Sequence, residues 1–226
     1  MRLLVFLLTL LPATALAGNS VNLSYSQTSG NSDTSTLSFS YTLKKEWKES
    51  SVSSQGSYLY KESSGKESAN RLDVSNAYER ALNKRLSLVL NNFIFSDKFS
   101  GYNLRFGAGP GLKVNISENL SLATNVTYVY NNYTESPNES YYQGEVKANY
   151  TRQITDTVTF TQLLSYQVSF KNSQDYFIHS KSQLSVPISE KLSLTVTYQV
   201  DYQNLLPEGV NYHTDKLFLT GISYSF

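Results

Sequence analysis

Leu192, Leu194, Val196, Tyr198, Val200 and Tyr202 alternate with Ser193, Thr195, Thr197, Gln199, Asp201 and Gln203. Successive side chains of a strand point to opposite faces, so this stretch predicts one apolar and one polar face. Leu120, Leu122, Thr124, Val126, Tyr128 and Tyr130 repeat the pattern, as do Val158, Phe160, Gln162, Leu164, Tyr166, Val168 and Phe170. Helical spacing fits none of them.

Polar breaks punctuate the alternation. Asn83-Lys84, Ser117-Glu118-Asn119, Thr155-Asp156-Thr157 and Ser189-Glu190-Lys191 are short and recur every 34 to 38 residues, after the looser segment 44–51. Between them lie breaks richer in Gly, Pro and Asn, at 29–33, 63–66, 97–101, 135–139, 171–175 and 206–211. Two breaks per period mean a hairpin repeat. Twelve strands follow, over 20–28, 34–46, 51–61, 68–82, 86–97, 102–115, 120–134, 140–153, 158–171, 176–188, 192–204 and 213–226. Ten strand steps of ~3.3 Å span ~33 Å, which at a tilt of ~40° covers the ~25 Å lipid-facing band of an outer-membrane barrel. The prediction is an all-β fold, a twelve-stranded antiparallel transmembrane β-barrel. The even strand number puts both termini on the short-turn side, the periplasm.

The first residues read as an address. Arg2, the apolar run Leu3 to Leu11, Pro12 and then Ala15-Leu16-Ala17 have the order of a cleaved signal peptide over 1–17, with the barrel over 18–226. That apolar run is shorter than the ~20 residues a membrane-spanning helix needs. The absence of Cys removes lipoprotein anchors, disulfides and thiolate metal sites. Lys and Arg number 19 against 18 Asp and Glu, and loss of Arg2 balances them, so nothing points to nucleic acid. A mean hydropathy of −0.34 is what alternation gives when apolar and polar faces cancel.

The last strand puts Phe218, Thr220, Ile222, Tyr224 and Phe226 on one face. Ile222, Tyr224 and Phe226 form a C-terminal assembly signal of the kind the barrel-assembly machinery reads. Several fragments in order then resemble the salt-induced outer-membrane protein family, the YdiY-like group, whose domain is of unknown function. They are Gly30-Asn31-Ser32-Asp33-Thr34, Ser68-Ala69-Asn70-Arg71, Asp97-Lys98-Phe99 before Leu104-Arg105, Gly107-Ala108-Gly109-Pro110-Gly111, and Ile222-Ser223-Tyr224-Ser225-Phe226. The resemblance implies a Gram-negative outer-membrane location, a surround of lipid and lipopolysaccharide, and a link to salt stress. It names no substrate. A monomer without cofactor is expected.

Parity sends Lys61, Arg71, Asp73, Glu79, Arg105, Lys113, Glu145, Lys147, Lys171, His179, Lys181 and Asp201 into the lumen. A Lys or Arg facing mid-bilayer lipid costs ~2–4 kcal/mol, so inward placement is favoured. With His179 neutral this is seven cations and four anions. Two readings stand: a salt-bridged, filled barrel, or a narrow pore weakly preferring anions. Inward Gly107, Gly109 and Gly111 invite kinking or the close approach of a bulky neighbour, with a bulge or bend at Pro110, and a structural corner is favoured over a ligand groove. A lipid hydrolase is the alternative function. It rests on His179 and His213, but His179 and Ser180 point to opposite faces, and His213 beside Thr214 and Asp215 has no catalytic signature. The 29–34 loop, with Asn31 and Asp33, offers one carboxylate, too few for a Ca²⁺ site.

Overall fold

The computed structural model describes residues 19–28 and 34–226. The predicted leader, the 29–33 loop and most of the Gly30–Thr34 motif lie outside the described residues. The strands are β1 (Ser20–Thr28), β2 (Thr34–Glu46), β3 (Ser50–Ser63), β4 (Lys66–Ala81), β5 (Leu86–Asp97), β6 (Tyr102–Asn115), β7 (Leu120–Tyr133), β8 (Glu139–Gln153), β9 (Thr159–Ser169), β10 (Tyr176–Pro187), β11 (Leu192–Gln203) and β12 (Thr214–Ser225). Each pairs antiparallel with its chain neighbours, and β1 closes on β12 from Ser20↔Ser225 to Ser24↔Gly221. This five-residue seam closes the sheet into a barrel and pairs the edge strands at the short-turn end. The backbone N–H of Phe226 donates to Asn19 O at 3.1 Å, so both ends of the barrel share the short-turn rim.

The short turns are one device repeated. Leu82, Ile116, Ile154 and Ile188 each donate their N–H to the carbonyl of the residue opening the next strand, or the one before it, at 2.7–2.9 Å. The polar residue that follows each of them turns its side-chain oxygen back onto the turn. Asn83 Oδ1 accepts from the N–H of Arg85 and Leu86, Ser117 Oγ from Asn119 and Leu120, Thr155 Oγ1 from Thr157 and Val158, and Ser189 Oγ from Leu192. This side-chain-to-backbone bonding is why Asn, Ser and Thr recur there. The four apolar residues and Trp47 stay exposed on the same rim.

The molecule is packed inside out. Leu23, Phe39, Leu90, Phe106, Val146, Leu164, Leu194 and Phe218 are exposed on the outer wall, while buried Thr127, Asn131, Gln143 and Thr195 face inward. Such a wall is stable only where lipid replaces water. Hydrogen-bonded amides interrupt it in places. Asn76 Nδ2 donates to Asn92 Oδ1 at 2.9 Å, and Gln162 bonds Ser180 and Ser182.

Register shifts fall at Lys61/Glu62, Phe95/Asp97 and Tyr102/Leu104, near the long-loop rim. The bulge predicted at Pro110 is absent. The β6–β7 ladder skips Gly109 and Pro110 but keeps its register from Ala108↔Tyr128 to Gly111↔Asn125. Instead the strands crowd together: a Cβ on Gly109 would lie 2.0 Å from Val126 O, and one on Gly111 would lie 1.9 Å from Asn125 Oδ1. At Gly109 and Gly111 it is neighbouring backbone, rather than a bulky side chain, that approaches closely.

Candidate functional site: the lumen

Strands six places apart in a ring of twelve stand on opposite walls, and some side chains here cross that space. Arg71 of β4 reaches Asp201 of β11, five strands away, with Nη1 at 2.7 Å from Oδ2. The same carboxylate accepts from Gln199 Nε2 at 2.7 Å and from His179 Nδ1. The result is a crossbar in the long-loop half of the lumen. Three polar groups converge on one carboxylate, the satisfaction a charge in a narrow lumen requires.

A second cluster packs beside it. Arg105 is buried, its guanidinium 4.3 Å from the Phe177 ring centre and 5.7 Å from those of Phe93 and Tyr102, with Nη2 donating to Gln143 Oε1 at 2.6 Å. No carboxylate forms an ion pair with it among the described residues. Gly107 makes this possible, because the Phe93 ring fills the space its side chain would take. Tyr102 continues the layer towards Tyr133, with ring centres 5.2 Å apart, and accepts at its hydroxyl from Gln203 Nε2 at 2.9 Å across the lumen.

Towards the short turns the charges pair along the wall. Lys113 bonds Glu79 at 2.8 Å, and Glu145 accepts from Asn125, Gln167 and Lys147 at 2.8, 3.1 and 3.4 Å. Below them a cavity of about 590 Å³ opens at the rim, where Asn115, Ser121 and Asn149 share one inward row. Lys61, Asp73 and Lys181 also face inward by register. Lys171 does not line the wall. It lies beyond the end of β9, its side chain 61% exposed, and pairs with Glu139 at 2.6 Å on the long-loop rim. Parity extended past the strand end put it inside.

One loop lies over part of the long-loop mouth. Between β11 and β12 the loop reaches over to the β7–β8 connection, where the Glu208 N–H donates to Ser136 Oγ at 3.3 Å. Pro207 and Val210 press on Gly101, and Glu135 lies against Gly209. Gly101 and Gly209 hold φ of +84° and +83°, a backbone that favours glycine.

Sequence reasoning missed Phe177, Gln143, Asp97 and Asp175 as lumen or mouth residues. Phe177 and Gln143 were legible from parity, since each alternates with a lipid-facing residue, Ile178 and Tyr142. Asp97 sits at a bulge and caps the 3₁₀ turn Lys98–Ser100, and Asp175 is in a loop, so parity fails for both. His179 stands between Ser165 and Asp201 in the register, yet no hydrogen bond joins Ser165 to His179 among the described residues. His213 Nδ1 donates to the Gln203 carbonyl at 2.7 Å, and its ring stacks on Tyr202.

Comparison with known proteins fits this geometry. A family model described as "Protein of unknown function, DUF481" matches residues 21–226. The chain belongs to the DUF481 family. One relative is the uncharacterized protein YdiY of Escherichia coli (strain K12), 30% identical over 124 residues, which are 55% of this chain and 41% of that protein. Among solved structures, the barrel of this DUF481 protein resembles the NanC porin, with a TM-score of 0.57 and 12% identity over 92% of this chain and 100% of that one. It also resembles the KdgM porin, with a TM-score of 0.50 and 15% identity over 92% and 99%. These likenesses give the fold. With the apolar outer wall, they make the DUF481 protein a bacterial outer-membrane barrel.

Proposed function

We propose that this DUF481 barrel is a narrow passive pore for small solutes, with no catalytic role. One observation carries the reading. From the crossbar to the cavity, charged side chains keep accessible surface: 21% at Arg71, 34% at Lys147 and 30% at Lys113. A barrel filled by its own side chains, as small ones are, would leave these groups dry. The sum of inward charge gives less anion preference than parity alone implies, because Asp97, Glu139, Asp175 and Asp215 add carboxylates around the long-loop mouth. The preference is set instead by Arg105, which forms no ion pair among the described residues.

A lipid hydrolase needs a nucleophile and a base meeting at the lipid face. The engagement of His213 with Gln203 and Tyr202 supports a structural role for it. Both termini and the short turns are assigned to the periplasm, and Tyr224 and Phe226, with rings 6.1 Å apart on the outer wall, to recognition during insertion.

The test is a planar-bilayer recording of purified, folded protein. Stepwise conductance is expected, with the reversal potential in a salt gradient moving towards cation preference in Arg105→Glu and less so in Lys113→Glu. Folded protein that carries no current ends the pore reading.

A further inference from the structure

Most inward charges are held by a partner; among the described residues Lys61 and Asp215 near the long-loop mouth, and Asp73 and Lys181 deeper in the lumen, are not. Asp73 and Lys181 each lack a hydrogen bond and an ion pair within 4 Å among the described residues, whereas Arg71, Asp201, His179, Glu79, Lys113, Glu145 and Lys147 all have one. Asp73 is one inward step from Arg71 along β4, and Lys181 one inward step from His179 along β10, both on the short-turn side of the crossbar. β4 and β10 are six places apart in either direction around the ring. The carboxylate and the ammonium therefore face each other across the full lumen, and each lies in the other's field.

We propose that this gap is a subsite for small solutes carrying both charges, amino-acid-like or betaine-like zwitterions. It rests on the pore reading above and names the substrate class of that pore. A lone cation drawn to Asp73 meets Lys181, with Arg71 and Lys147 close to Asp73 as well. A lone anion drawn to Lys181 meets Asp73. A solute with an ammonium and a carboxylate satisfies both walls when it lies across the lumen, and the crossbar above it is already neutralised by its own pairing. Charged side chains at a constriction select by this kind of complementarity. The site orients the solute without holding it by contact hydrogen bonds on every side, as passage requires.

Swelling of proteoliposomes containing the full-length protein tests it. Glycine betaine is compared with erythritol, a neutral polyol of similar size, and the ratio of their rates is the readout. The ratio is expected to exceed one several-fold in the wild type and to fall towards one in Asp73→Asn and in Lys181→Gln, two near-isosteric changes. Equal rates in the wild type, or a ratio unchanged in both variants, overturns the subsite while leaving the pore. Swelling with neither solute overturns the pore and the subsite together.

Discussion

Gly109 has no room for a side chain, because the nearest atoms to an added Cβ are the Val126 carbonyl and Thr127 Cα, backbone that cannot swing away. Gly109→Ala is expected to cost about 3 kcal/mol or more, at the upper end of overpacking. Gly144→Ala meets only the edge of the exposed Phe170 ring, which can turn aside, so about 0.5 kcal/mol is expected. Urea midpoints of the two variants refolded into vesicles give the comparison, and equal losses would contradict the assignment. Asp175 supplies a pH-dependent case at the mouth. Burial raises its carboxyl above the ordinary value, while Arg105 and the hydrogen bond from Tyr141 pull it back and Glu139 pushes it up again. A group raised on folding contributes stability that is complete below its unfolded value and lost as pH rises through the folded one. Asp175→Asn is therefore expected to be the more stable protein at neutral pH, with the difference closing as the pH falls through the acid range. Unfolding midpoints measured across that range check the sign. Among single residues the sequence exposed the inward charges on strands, since parity alone determines them, but not Asp97 or Asp175, whose positions depend on a bulge and a loop.

Strands and short turns were the most legible elements. Alternation fixed the twelve strands to within one or two residues at most of their ends, and the turn residues Asn83, Ser117, Thr155 and Ser189 declared themselves by recurrence. The long loop between β11 and β12 was not legible, because its contacts with Ser136 and Gly101 join residues about 70 and 100 positions away. No local pattern encodes such a contact. The outer wall also carries an element-level test. Asn76 and Asn92 face lipid from β4 and β5 with one hydrogen bond between two amides, which leaves donor and acceptor capacity unused. Replacing both partners of such a bond by apolar groups is neutral or stabilising, whereas removing one leaves a desolvated amide that costs ~1–3 kcal/mol. The double change Asn76→Leu with Asn92→Leu is expected to match or exceed the wild type in vesicle unfolding, and each single change to fall below it. A double variant less stable than either single one would show that the pair has another role.

At the scale of the whole molecule, two restrictions lie in series on the long-loop side: the β11–β12 loop over part of the mouth and the Arg71–Asp201 crossbar beneath it. Resistances in series are dominated by the larger, so relieving one alone changes the total little while the other still limits. Arg71→Ala with Asp201→Ala removes the crossbar and keeps the charge balance of the lumen. Replacing 205–210 by a short Gly-Ser link removes the contacts with Ser136 and Gly101 and keeps the strands. Each change alone is expected to raise unit conductance modestly, and the combination to raise it by more than the sum of the two. Additive increases would place the two elements on parallel paths. An increase from the loop variant that the crossbar change does not extend would leave Arg71 and Asp201 as wall supports, and the charged lumen below them as the only filter.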